Sequence, residues 1–269
     1  MSNTRIVLGI EYNGFSFSGW QTQAQRRCVQ HCVELALAKI ANHPISVQCA
    51  GRTDTGVHAL EQIVHFDSCA QRPLEAWTLG GNSHLPADIK IIWARPAITD
   101  FHARFSAIAR FYRYVIYNRA TKSALYHQQT TWQGTSLDAE KMHEAAQALI
   151  GHHDFSSFRA AGCQSKSPCR TLYFINVYRE HDYVYVELSA NAFLHHMVRN
   201  IVGVLMDIGT AKKTPDWTVE LLSLNDRSKA SVTAPPNGLF LAGVFYPAHY
   251  GIAAHPIFAK LPNNAARFD

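Results

Sequence analysis

The run Ala50-Gly51-Arg52-Thr53-Asp54-Thr55-Gly56-Val57-His58-Ala59 sets one carboxylate in a tight, glycine-bracketed turn at the end of an expected strand. A carboxylate presented in this way can work, when ionised, as a nucleophile or a base, although aspartates in turns also serve simply to hydrogen-bond their own backbone. A second stretch mixes cations with rings: Arg104, Arg110, Arg113 and Arg119 fall among Phe101, Phe105, Phe111, Tyr112, Tyr114 and Tyr117. Phosphates call for the first and unstacked bases for the second. Aromatic residues in a strand equally build a core.

Rival chemistries explain less. Asp54-Thr55-Gly56 spells the tripeptide around the carboxylate of aspartic proteases, but Gly-Arg-Thr replaces the apolar strand expected before it, and Arg52 would bring a cation to a dyad that must share a proton. The 15 histidines and six cysteines lack zinc spacing. Cys28 and Cys32 have no second pair, Cys163 and Cys169 have no nearby histidine pair, and Pro168-Cys169 is followed by no cysteine of deaminase type. The spacing argues against a zinc site. A non-catalytic RNA-binding or RNA-folding protein would use the same basic and aromatic residues, yet it leaves a carboxylate in an anion-binding surface unexplained.

Composition bounds the setting. A chain of 269 residues that is 47% hydrophobic folds, as one large domain or two smaller ones. Its formal charge of +5 favours an anionic partner without naming it. The start lacks the pattern of a secretory signal, no apolar run reaches membrane-spanning length, and the scattered cysteines suit a reducing compartment. A soluble, cytoplasmic protein without a membrane partner is the expectation.

Periodicity then supplies the elements. Strands are predicted over Arg5–Tyr12, Ile45–Ala50, Gln62–Phe66 and Ile89–Ala94, with helices over Val29–Ile40 and around Leu74–Leu79. The second half repeats the mixture. A strand is predicted over Arg110–Tyr117, a helix from Met142 to Ile150 closed by Gly151, and a hairpin of Leu172–Arg179 and Tyr183–Leu188 around His181-Asp182. A helix carrying Val198, Ile201, Val202, Leu205 and Met206 follows, then a closing strand over Leu239–Tyr246. The expected class is α+β, in two modules spanning 1–105 and 106–247, with a tail over 248–269.

Several segments together resemble one family, the TruA-type tRNA pseudouridine synthases. They are Gly51-Arg52-Thr53-Asp54 with Gly56-Val57-His58-Ala59, Ile10-Glu11-Tyr12-Asn13-Gly14, Gly19-Trp20-Gln21, Asp100 to Phe105, Ala109 to Asn118, Asp154-Phe155 with Ser157-Phe158-Arg159, Asn191 to Gly203, and Gly238 to Leu241. Thr55 and Phe111 are mild departures that leave Asp54 and Tyr112 in place. The resemblance implies two topologically similar domains with mainly antiparallel sheets flanked by helices, a central basic cleft, and a homodimer. It also implies isomerisation of uridine to pseudouridine at positions 38, 39 and/or 40 of the tRNA anticodon stem-loop, without cofactor or metal.

On that resemblance Asp54 is the catalytic carboxylate, acting as a nucleophile or as a base on the ribose. Shielding it from water calls for a compensating cation, and Arg199, on its helix beside the apolar stripe, is the candidate. Tyr112 matches the family's active-site tyrosine and would support an extruded base. Leu239 resembles the apolar residue lining that pocket. Contacts to tRNA are implied for Arg52, Arg72, Phe101, His102, Ala103, Arg104, Phe105, and the loop Gly162, Cys163, Gln164, Ser165 and Lys166.

Overall fold

The computed structural model describes residues 3–253, so from residue 254 onward the expected tail lies outside the described residues. In chain order the elements are β1 (Thr4–Tyr12), α1 (Val29–Ala41), β2 (Gln48–Cys49), β3 (His58–Ser68), a π-helical turn (Ala76–Gly80) running into α2 (Gly81–His84), and β4 (Ile89–Ala97). There follow β5 (Ala109–Asn118), β6 (Thr131–Gln133), α3 (Ala139–Gln147), β7 (Gly151–Asp154), β8 (Cys169–Glu180), β9 (Tyr183–Ala190), α4 (Met197–Gly209), α5 (Trp217–Leu224) and β10 (Leu239–Phe245). The fold is α+β with mostly antiparallel sheet, as the sequence led one to expect. Among the described residues one compact unit comprises the chain up to Arg110 together with that from Phe240, and the other Phe111–Leu239. No helix among them is long and apolar enough to cross a membrane.

In the first unit β1 lies between β3 and β4, antiparallel to both, and β2 pairs with β3. Phe240 and Leu241 of β10 run parallel to β3, opposite His58 and Ala59. Val7, Leu8 and Ile10 of β1 and Ile63, Val64 and Phe66 of β3 are buried, as is the α1 stripe Val29, Val33, Ala36, Leu37 and Ala41. That stripe follows the helical period read from the sequence, and αL geometry at Asn42 closes the helix. The strand expected over Ile45–Ala50 shrinks to two residues. Glu34 of α1 takes the Val47 N–H at 3.0 Å, so a side chain replaces the ladder there.

In the second unit β8 and β9 form an antiparallel hairpin turned at His181, which adopts φ 51, and β7 pairs with β8. α3 packs on β8 and α4. Its buried Met142, Ala145 and Ala146 belong to the same unit's core as Ile175 and Val177 of β8 and Ile201, Leu205 and Ile208 of α4. Asp138 caps α3 by accepting the Lys141 N–H at 3.0 Å. The helix stops at Gln147, three residues earlier than expected, because Leu149 and Ile150 tighten into i to i+3 turns. Gly151, at φ 110, opens β7 instead of simply closing the helix.

Candidate active site

In the first unit the turn bearing Asp54 is fixed residue by residue. Its entry is set where Gln62 of β3 donates to the Gly51 carbonyl at 2.5 Å and the Ala50 N–H reaches the Ile63 carbonyl at 2.8 Å. Thr53, 6% exposed, bonds through its hydroxyl to the buried Tyr12 hydroxyl at 2.7 Å and accepts the Trp20 N–H on its carbonyl at 3.0 Å. The Val57 N–H closes the turn on the Asp54 carbonyl at 3.1 Å, and Gly56 supplies the positive φ of 78 that this closure requires. Behind it Gly14 packs so closely that an added Cβ would stand 1.9 Å from the Val57 carbonyl oxygen, and the Gly14 N–H donates to His58 Nδ1 at 2.9 Å. His58 stacks on Phe240. Thr53, Gly56, Val57 and His58 are therefore buried and bonded, while Asp54 is half-buried and Arg52 and Thr55 are exposed.

The segment 101–105 divides by role. Phe101 and Ala103 are fully buried, whereas Arg104 and Phe105 face solvent, Phe105 at 76% exposure. Of the segment's side chains, Arg104, Phe105 and the half-buried His102 are thus the ones open to solvent. The loop is anchored from within its own unit: Arg5 donates to the Thr99 and Phe101 carbonyls, Tyr246 to the Ala103 carbonyl at 2.6 Å, and the Ala103 N–H donates to His65 Nδ1 at 3.1 Å. His102 Nδ1 accepts the N–H groups of Arg104 and Phe105. Burial, with His102 and Arg5 nearby, pushes the His65 imidazole down to about 4, so it stays a neutral acceptor. Arg72 is exposed and bonds through Nε to the Ile40 carbonyl at the end of α1.

In the second unit Tyr112 and Tyr114 share the buried face of β5, and Tyr112 meets the edge of Phe193 at 5.0 Å between centroids. Phe193 was not singled out from the sequence, although it sits in the run before Arg199. Arg199, on the first turn of α4, donates from Nε to the Ala234 carbonyl at 2.8 Å. Leu239 is 5% exposed. The loop 162–166 exposes Gly162, Gln164 and Lys166 and is held by two guanidiniums. Arg159 donates to the Cys163 and Ser165 carbonyls, and Arg170 to the Ser165 hydroxyl. Burial alone would raise the Cys163 thiol; the His195 and Ser165 N–H groups and Arg159 outweigh it and bring the pKa below its ordinary value. All six cysteines are free thiols.

Comparison with known proteins places these residues in a family. A profile of the family described as tRNA pseudouridine synthase matches residues 10–106 and 145–247. Relatives bearing the name tRNA pseudouridine synthase A include one from Methylococcus capsulatus, 53% identical over 264 residues covering 98% of this chain and 97% of its own. Another, from Shewanella woodyi, is 54% identical over 94% of this chain and 98% of its own, and one from Alcanivorax borkumensis is 52% identical over 94% and 96%. The glycine-framed turn around Asp54 and the Arg199 helix both lie within the matched residues, and the chain belongs to the tRNA pseudouridine synthase family, an isomerase that converts uridine in tRNA to pseudouridine.

Proposed function

We propose that the chain isomerises uridine at positions 38, 39 and/or 40 in the anticodon stem-loop of tRNA, with Asp54 as its catalytic carboxylate. What carries the reading is the turn itself: Thr53, Gly56 and Val57 are buried and bonded, while the carboxylate between them is left partly accessible. Such restraint gives a reacting group one position before substrate arrives. Asp54, ionised, attacks the nucleoside or takes a proton from its ribose. The N-glycosidic bond breaks, the uracil turns, and its C5 bonds to the same ribose carbon; C5 then gives up its proton, the freed N1 takes one, and Asp54 returns to the free carboxylate, so that the product is an isomer of the substrate.

The remaining residues bind and orient. Arg52, exposed two residues before the carboxylate, holds a backbone phosphate or the extruded nucleotide. Tyr112, braced by Phe193, supports the face of the uracil, Leu239 gives it an apolar wall, and Arg199 balances the negative charge of Asp54. Arg72, Arg104, Phe105 and the loop 162–166 engage the tRNA outside the reacting nucleotide. The enzyme works in the cytoplasm as a homodimer, a state that light scattering of the purified protein reads directly.

The test incubates wild type and Asp54→Asn with unmodified tRNA, maps pseudouridine, and measures tRNA binding. Wild type modifies one or more of positions 38, 39 and 40, and Asp54→Asn binds tRNA but modifies none. Modification elsewhere would overturn the positional assignment, and an active Asp54→Asn would remove Asp54 from the chemistry.

A further inference from the structure

The segment between α5 and β10 is attached in an unusual manner. Of its residues Val232 to Gly238, only Ala234 and Gly238 are buried, and Val232 is 87% exposed. Apolar burial therefore does little to hold it, yet hydrogen bonds tie it to the rest of the second unit along its length. Ala234 and Arg199 form a reciprocal pair: the Arg199 Nε donates to the Ala234 carbonyl at 2.8 Å, and the Ala234 N–H donates to the Arg199 carbonyl at 3.1 Å. The next residue of α4, Asn200, is fully buried. Its amide donates to the Phe158 carbonyl at 2.7 Å, and its oxygen accepts the Thr233 hydroxyl at 2.7 Å and an Arg227 N–H at 3.1 Å. Arg227 also reaches the Thr233 hydroxyl at 2.9 Å. One residue past Ala234, the Pro235 carbonyl accepts the Tyr114 hydroxyl at 2.7 Å, and Asn237 donates to the His127 and Thr130 carbonyls.

The helix makes room for this approach at Gly203, where a Cβ would stand 2.1 Å from the Val232 carbonyl oxygen. Three residues given a role above converge on the same stretch: Arg199 binds it directly, Leu239 continues from it, and Tyr112 lies two residues from Tyr114 on one face of β5. Anchoring Nε to a fixed carbonyl sets the plane of the guanidinium and so the direction of its fork.

Resting on the role of Arg199 given above, we infer that Thr233–Gly238 is the positioning device for that guanidinium, with Asn200, Thr233 and Tyr114 as positioning residues of the isomerisation. Removing one of these bonds lets the Ala234 carbonyl drift. Displacements of about an ångström in a positioned group slow chemistry by roughly tenfold to a hundredfold.

The test uses Thr233→Val, which keeps shape and loses the hydroxyl, and Thr233→Ser, which restores it. Single-turnover pseudouridine formation on unmodified tRNA, tRNA binding and urea midpoints are measured for each, alone and with Arg199→Lys. Thr233→Val slows the single-turnover step about tenfold or more with binding unchanged, Thr233→Ser recovers it, and Thr233→Val adds nothing to Arg199→Lys. A wild-type rate in Thr233→Val, a loss that Thr233→Ser does not recover, or additive effects with Arg199→Lys would overturn the positioning role. An Arg199→Ala enzyme running at the wild-type rate would instead remove the assignment of Arg199 itself. Where Thr233→Val does not fold, Tyr114→Phe, which keeps the ring and loses the hydroxyl's bonds to Pro235 and Thr131, takes its place under the same rate, binding and Arg199→Lys criteria.

Discussion

The hydroxyl pair of Tyr12 and Thr53 offers a sharp test of how the Asp54 turn is held. The two oxygens lie 2.7 Å apart, with Tyr12 3% and Thr53 6% exposed. Tyr12→Phe keeps the ring that packs against Trp20 at 5.9 Å and removes only the oxygen. The Thr53 hydroxyl is then left in a dry site without that partner, a loss of about 1–3 kcal/mol. For a chain of this size 2 kcal/mol lowers the melting temperature by roughly 4–8 °C. Because Thr53 precedes Asp54 directly, the shift also displaces the carboxylate, and single-turnover pseudouridine formation slows roughly tenfold while tRNA binding holds. Thr53→Val removes the same bond from the other side. In the double variant, where two apolar groups meet, the combined loss is smaller than the sum by about 1 kcal/mol or more. Urea denaturation of the four proteins completes the cycle. Losses that add to within about 0.5 kcal/mol would show that the hydroxyls are not coupled and that the turn is held by other means.

Gly14→Ala drives a methyl against the backbone of Val57, which can yield only by moving the turn; a destabilisation of about 3 kcal/mol is expected, and an unchanged urea midpoint would refute the contact. Since folded His65 titrates at about 4 against an ordinary 6.5, the unfolded chain binds a proton that the native chain refuses. The stability it contributes is complete above about 6.5 and is lost as pH falls toward 4, by at most about 1.4 kcal/mol per pH unit. With His102, Arg5 and Asp67 around the ring left in place, His65→Asn flattens that slope in urea midpoints taken from pH 7.5 to 5, and an unaltered slope would contradict it. Phe105→Ala, at an exposed ring, weakens tRNA binding by about 1–3 kcal/mol without moving the melting temperature, which filter binding beside thermal denaturation checks. Arg52→Gln lowers the salt dependence of tRNA binding by about one unit of slope, and an unchanged slope would rule out its phosphate contact.

Where the chain follows a period, sequence and structure agree closely. β1 and α1 match their expected limits within a residue because alternation and the Val29, Val33, Leu37 stripe are both carried by core contacts. Disagreement arises where a side chain from elsewhere intervenes, as Glu34 does at Val47, or where an element is too short to show a period, as with β6 and β7. α5 was passed over although Pro215 precedes it, because Trp217, Leu221 and Leu224 give a helix of eight residues little pattern to read. At the candidate site, the tight turn around Asp54 was legible from its glycines, and the helix that carries Arg199 from its apolar stripe. The separation of Phe101 and Ala103, which anchor, from Arg104 and Phe105, which face out, was not. It depends on Tyr246 and His65, each distant in sequence. Phe193 escaped for the same reason, since only the fold brings it to Tyr112.

The two restrained segments share a physical logic. Around Asp54 the fixing bonds run through a threonine hydroxyl, a tyrosine hydroxyl and backbone amides; around Arg199 they run through carbonyls, an asparagine, a threonine hydroxyl, a tyrosine hydroxyl and the guanidinium of Arg227. Apart from Arg227 these bonds are neutral, and a neutral bond restrains the neighbouring backbone without adding a charge, whereas an ion pair used as a lock would itself bias the ionisation of a group meant to react. Full ion pairs are employed at one remove. Arg5 with Asp67 carries the carbonyls of Thr99 and Phe101, and Arg113 with Glu187 ties β5 to β9. The consequence is directional: Arg5→Ala or Asp67→Asn should loosen the 99–105 loop and so weaken tRNA binding. The same changes should leave the bound enzyme's single-turnover rate alone, while changes to the neutral bonds slow that rate and spare binding.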